Sequence, residues 1–308
     1  MNSQIKKINL NHSFIFFLFC NIFSIIALKI SYFTISPLIC LFLILSIGVS
    51  HGSLDNLKGR KLFQIYGINN FVFFYLSYIL ISLGVIFFWI IIPSISLIIF
   101  LIIASHHFGK EDTQFLIVKN SYYNQLLFFL KGSLIILAPL WLSFDETVLI
   151  FNTLGVKNQE FYNFLNYLNF NKLFLFLVLF SVLSNILISR ELKYLTGFAW
   201  EIFCILALYD AFDPLVAFTI YFCFLHSLRH SASLTYEFNI GIDDFIKKAW
   251  PLTLLTAILF FVGIYILTGF QKVDIDSSII NVIFIGLASL TFPHILLEYI
   301  IEKNEKRT

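Results

Sequence analysis

The chain is built mostly of apolar stretches long enough to cross a lipid bilayer, and no other feature narrows its folding options as far. A membrane-spanning helix needs ~20 mostly apolar residues. Ten stretches approach that length: 13–30, 33–50, 71–92, 94–107, 125–143, 172–189, 197–210, 214–230, 251–269 and 279–300. The fourth and seventh are short or polar, so about ten spans are expected, with eight as the lower bound. Hydrophobic residues make up 59% of the 308 and charged residues 12%, with a mean hydropathy of +0.89. A soluble fold of this size buries only ~75% of its chain surface, too little to hide so much apolar side chain. The expected fold is therefore an all-α, polytopic membrane bundle. It is read as a single domain over 1–308, with short tails at 1–12 and 301–308. A net charge of +2, with no basic stripe and no Gly-rich phosphate loop, argues against nucleic acid as a partner.

Loop charge sets the orientation. With the basic N-terminus inside and ten spans, fifteen of the twenty Lys and Arg residues fall on the cytoplasmic side. They are Lys6, Lys7, Lys58, Arg60, Lys61, Lys110, Lys119, Arg190, Lys193, Arg229, Lys247, Lys248, Lys303, Lys306 and Arg307. The opposite loops carry Asp145, Glu146, Asp210, Asp213, Asp274 and Asp276. This obeys the positive-inside rule and predicts a multi-pass protein of the cell (inner) membrane with both termini cytoplasmic. Segment 13–30 follows Lys6 and Lys7 as a signal peptide would, but lacks a small-residue cleavage site and is expected as a retained helix. Cys20, Cys40, Cys204 and Cys223 lie in apolar runs without CxxC spacing and are expected as buried, reduced thiols. The aromatic–Asn stretch within 144–171 predicts either an interfacial amphipathic segment or an ordinary loop.

Histidines carry the functional signal. His12 falls in the N-terminal tail and is uninformative. His51, His106, His107, His226, His230 and His294 all lie near the ends of spans. On the topology above, every one of those ends is cytoplasmic. Ionisable residues in membrane segments are expensive and mark function by default. A lone helical histidine is more often a structural donor, whereas six at one depth from four helices point to a shared site. His226 and His230, at i and i+4, stack on one helix face, an arrangement that gives two nitrogens to one metal. Adding His51 and His107 makes four neutral imidazoles, a set that suits Zn, Cu, Fe or Ni without choosing among them. Carboxylates follow one turn after the histidines: Asp55 after His51, Glu111 and Asp112 after His107, Glu298 after His294. A ligating imidazole usually donates its second N–H to such a group. Solvated charges at helix ends are the plain alternative. Arg229 points to another face and either pairs with Asp55, Asp112 or Glu298 or marks the interface.

The blocks SHGSLD (50–55), HFGKED (107–112), HSLRH (226–230) and PHILLE (293–298) resemble, in order, those of the Brp/Blh family of β-carotene 15,15′-dioxygenases. The resemblance covers about residues 40–300. It implies an Fe²⁺ enzyme that splits the central double bond of β-carotene with O₂, giving two molecules of retinal. It implies iron ligands at His51, His107, His226 and His230, with His106, His294, Asp55, Asp112, Arg229 and Glu298 around them or in the pocket. Substrate would enter from the bilayer, and the retinal product suggests a rhodopsin as recipient. An iron site in the cytoplasmic third of the bilayer predicts a substrate tunnel that runs obliquely or nearly parallel to the membrane plane, because an upright carotene would offer iron an off-centre bond.

Two rivals make different demands. A histidine-lined metal or proton transporter calls for inverted repeats and polar groups on both halves of its path, whereas the outer ends of these spans are poor in them. A membrane di-iron hydroxylase needs about eight clustered histidines.

Overall fold

The computed structural model describes residues 3–29, 35–68, 70–113, 115–116, 121–189 and 192–305, and all regular structure among them is helical. Helix α1 (Ser3–Lys29) is followed by a broken helix: α2 (Pro37–Leu43), a π-helical turn (Ile44–Gly48) and a 3-10 segment (Val49–Leu54). That segment runs into α3 (Asp55–Ile65), after which come α4 (Val72–Ile91), α5 (Pro93–Glu111) and α6 (Tyr122–Leu142). The shorter α7 (Phe144–Thr153) and α8 (Gln159–Phe170) lead to α9 (Leu173–Ser189) and α10 (Leu192–Ala211). A second broken helix consists of α11 (Pro214–Ile220), a π-helical segment (Tyr221–Ser227) and α12 (Leu228–Glu237). Helices α13 (Ile242–Gly269) and α14 (Ile275–Glu305) complete the bundle.

The helix starts follow from local chemistry. Pro37, Pro93 and Pro214 occupy the first turns of α2, α5 and α11, where a missing N–H costs nothing. Ser36, Ser121 and Asn158 accept hydrogen bonds from the backbone N–H groups of Leu38, Asn124 and Phe161 at 3.2, 3.2 and 3.1 Å. Residues 3–12, expected as a tail, are the first turns of α1. There the buried Asn9 and Ser13 return hydrogen bonds to the carbonyls of Ile5 and Asn9, so polar side chains are satisfied within the helix. At the other end α14 continues through residues 301–305, and 306–308 lie outside the described residues.

Seven of these helices (α1, α4, α5, α6, α10, α13 and α14) are long and apolar enough to cross a membrane. The pair α8–α9, bent by 70°, is an eighth if counted as one span. The fold is therefore the expected all-α membrane bundle, with fewer full spans than ten. The fourth and seventh stretches, the weakest in the sequence, form α5 and α10 and qualify. The two that fall short are the broken helices. The apolar piece Pro37–Gly48 is ~18 Å long at 1.5 Å per residue, well under the ~30 Å hydrocarbon thickness. The stretch Pro214–Glu237 changes winding twice and carries His226, Arg229 and His230. Seven or eight such helices fall at the low end of the eight to ten expected.

Apolar side chains face outward as well as inward. Leu80, Leu83, Phe87 and Ile90 on α4 and Leu255, Ile258, Leu259 and Phe261 on α13 are all exposed, as lipid-facing positions must be. Phe164, Tyr167 and Phe170 of the stretch 144–171 are exposed too. The four cysteines are buried and unbridged, as expected. Charged groups are turned into the bundle instead: Asp55, Glu111, Asp112, Lys131, Glu201 and Arg229 are buried. Helices α5 and α6 approach backbone to backbone, because a Cβ at Gly109 would meet the Phe128 carbonyl and one at Gly132 the Ser105 carbonyl. That contact sets the position of the C-terminal turn of α5, which carries His107.

Candidate metal centre

Buried imidazoles of His107, His226, His230 and His294 gather where α5, the second broken helix and α14 meet. The His107 ring lies 5.4 Å from that of His226 and 5.3 Å from that of His294, and His230 lies 5.8 Å from His294, centroid to centroid. All three pairs are edge-on. His226 ends a π-helical segment, and such segments occur frequently at functional sites. The first broken helix is joined to it by the Ser227 hydroxyl, which donates to the Gly48 carbonyl at 3.2 Å. His51 belongs to that first broken helix, in the 3-10 segment, but its side chain lies outside the described residues.

Each of three rings is held at Nδ1 by a carboxylate. His226 Nδ1 lies 3.1 Å from Asp112 Oδ1 and His230 Nδ1 2.6 Å from Glu111 Oε2, while His294 Nδ1 lies 2.9 Å from both oxygens of Asp55. An ionised carboxylate only accepts, so each Nδ1 donates its N–H to it. This is the outer arrangement of metal-ligating histidines, which fixes both tautomer and ring orientation. Ligand atoms of His107, His294 and Glu298 lie within 4.8 Å of one another, as do those of Glu111, His230 and Glu298. This donor set of imidazole nitrogens and carboxylate oxygens fits a first-row transition metal.

The acids are themselves held in place. Asp112 Oδ2 accepts from the Tyr221 hydroxyl at 2.7 Å, and its carbonyl accepts from Arg229 at 3.2 Å. Burial opposes charge on Asp112, but the His226 contact and the nearby Lys131 and Arg229 hold its carboxyl well below the usual range. Asp55 accepts from the Tyr78 hydroxyl at 3.0 Å. Glu298 receives Lys58 at 2.7 Å. Burial works against the Lys58 ammonium, yet Glu298, Asp55 and Glu111 raise its pKa above the ordinary lysine value.

The sequence placed each acid with a histidine of its own helix; Glu298 does lie beside His294, at 3.7 Å, but the other three pair across helices. Asp112 and Glu111 at the end of α5 serve the second broken helix, and Asp55 at the start of α3 serves α14. The physical reason is direction. A histidine whose Nε2 points to the centre presents Nδ1 to the neighbouring helix, where the acid must stand. Arg229 bonds none of the three carboxylates considered for it. It donates to Glu201 at 2.6 Å and to Ser13 at 3.1 Å, and Lys131 reaches the same Glu201 at 3.2 Å. His106 bonds Gln125 at 2.5 Å and stands edge-on to Phe128, on the α6 side of α5. Sequence reasoning missed Tyr78, Tyr221 and Glu201. Glu201 was the findable one, since Lys131 and Glu201 are opposite charges inside apolar spans.

Residues 42–302 match the family described as beta-carotene 15,15′-dioxygenase. The chain belongs to that family. A dioxygenase relative of the same description, from the uncultured marine bacterium 66A03, is 26% identical over 286 residues, covering 87% of this chain and 94% of its own. No solved structure matches the chain. The match runs from α2 to α14 and so takes in every helix that lines the cluster. The chain is thus an oxidative enzyme of the carotenoid-dioxygenase family whose buried His and Glu residues suit a metal.

Tyr221→Phe removes one hydrogen bond from Asp112 without touching an imidazole. It is expected to weaken metal binding by about tenfold, with little loss of folded protein, as read by titration of the purified chain.

Proposed function

We propose that the chain is a Brp/Blh-type β-carotene 15,15′-dioxygenase that binds Fe²⁺ through His51, His107, His226 and His230 and converts β-carotene and O₂ into two molecules of retinal. The observation that carries this reading is the set of Nδ1–carboxylate contacts, which turns buried imidazoles toward one another inside a family of that description. Iron bound there supplies the O₂ chemistry that an alkene and amino-acid side chains lack. The reaction adds both oxygen atoms to the two halves and neither takes up nor releases protons. The carboxylates are therefore not needed as proton donors; their work is to fix ring tautomer and direction.

An aromatic wall supports an apolar substrate. Phe108 lies 4.9 Å from His226, Phe222 stacks on His226 at 5.7 Å, and Phe218 continues from Phe222 at 5.4 Å and to Phe284 at 5.6 Å. A polyene has no polar group to set its register, so shape and area burial, at ~25 cal/mol per Å², must place its midpoint beside the histidines. We infer that it lies oblique to the membrane plane, entering from lipid, with both chain termini cytoplasmic as the basic loops indicate.

Expression in a β-carotene-accumulating bacterium tests the reading. Loss of orange colour with retinal appearing by chromatography is expected. Carotene left intact in cells that contain the folded protein would favour a transport role and end this proposal.

A further inference from the structure

Asp112 is shared between the histidine cluster and a buried group of ion pairs. Its carboxylate accepts from His226 Nδ1 at 3.1 Å through Oδ1 and from the Tyr221 hydroxyl at 2.7 Å through Oδ2. Arg229 takes the Asp112 backbone carbonyl instead, through Nη1 at 3.2 Å. An arginine beside a buried carboxylate ordinarily forks onto both of its oxygens, so something must hold Arg229 off them.

Glu201 is placed to do that. Its Oε1 accepts from Arg229 Nη2 and from the Ser13 hydroxyl, both at 2.6 Å, and its Oε2 accepts from Lys131 at 3.2 Å. Asp112, Lys131, Glu201 and Arg229 are all buried, two acids against two bases, so the group is balanced while it is complete. Without the Glu201 charge, Asp112 is the one carboxylate of the group left to Arg229. A buried cation that loses its partner is costly, which drives the guanidinium toward it. Arg229 Nε is a buried donor with no partner among the described residues. A cavity lined by Asp112, Lys131, Asn185, Glu201 and Tyr221 leaves room for the Asp112 carboxylate to turn.

We propose that Glu201 is a positioning residue for the metal centre: it holds Arg229 away from the Asp112 carboxylate and so leaves that carboxylate to His226. This rests on the reading of His226 as a metal ligand. Glu201 acts on the ion only through Arg229, Asp112 and His226. In this way α10, and α1 through Ser13, bear on a centre to which neither gives a ligand.

Cobalt(II) titrated into the purified full-length chain in detergent micelles, followed by visible absorption, reads the effect without turnover. Glu201→Gln is expected to bind cobalt about tenfold more weakly, the loss usual when the outer partner of a ligating histidine is disturbed. Two double variants separate positioning from charge balance, because each removes one acid and one base. Glu201→Gln with Lys131→Gln leaves Arg229 free to fork onto Asp112 and is expected to bind as weakly as the single variant. Glu201→Gln with Arg229→Gln removes the competing cation and is expected to recover most of the parental affinity and the parental cobalt spectrum. Equal affinity in the two doubles, or the weaker binding in the Arg229 double, would overturn the proposal with the metal centre intact. Parental affinity in Glu201→Gln alone would do the same. A parent chain that binds no cobalt would end both the proposal and the metal-centre reading.

Discussion

Replacing His226 with alanine is expected to abolish retinal formation and to lower metal occupancy by two orders of magnitude or more. The change removes a buried nitrogen donor and also the group that meets Asp112 Oδ1 at 3.1 Å. A buried carboxylate that loses its partner is costly, on the order of 3 kcal/mol, although Tyr221 still donates to Asp112. Misfolding is therefore a competing explanation for lost activity, and His226→Asn resolves it. The amide keeps a donor for Asp112 but has no imidazole nitrogen. It should express and melt much like the parent while remaining inactive and poor in metal. Retinal formation near parental yield in either variant would remove His226 from the site.

The second large effect is expected at Gly109, two residues from His107. A Cβ there would lie 2.8 Å from the Gly132 nitrogen and 2.7 Å from the Phe128 carbonyl carbon. These are backbone atoms of α6 and cannot rotate away. Overpacking a core costs ~1–3 kcal/mol when side chains can adjust, and here the helices themselves must separate. Gly109→Ala is therefore expected to cost about 3 kcal/mol and to displace His107. Both a lower thermal midpoint in detergent and weaker metal binding should follow. A variant with parental midpoint and parental metal affinity would contradict the close α5–α6 packing.

These two sites also show how far the sequence could be read. The HxxxH spacing of His226 and His230 was legible, because helical periodicity depends on local pattern. His226 and His230 from one helix come together with His107 and His294 from two others. What pattern could not supply was partner choice. Asp112 meets a histidine 114 positions away and Asp55 one 239 positions away, contacts fixed by how helices pack rather than by spacing. The span count falls at the low end of the expected eight to ten for a related reason. The stretches carrying His51 and His226 are apolar enough to look like ordinary spans, yet their π and 3-10 turns are visible only in the backbone. Arg229 was placed at the interface or with the wrong acids because Glu201, on α10, looked like one charge among many apolar neighbours.

The central claim is that imidazoles from separate helices hold one ion. An experimental structure of the iron-loaded protein, with anomalous data collected on both sides of the iron absorption edge, tests it most directly. The account predicts one anomalous peak within bonding distance of Nε2 of His107, His226 and His230. A peak elsewhere in the bundle, or one bonded to a single histidine while the other rings face separate cavities, would contradict it.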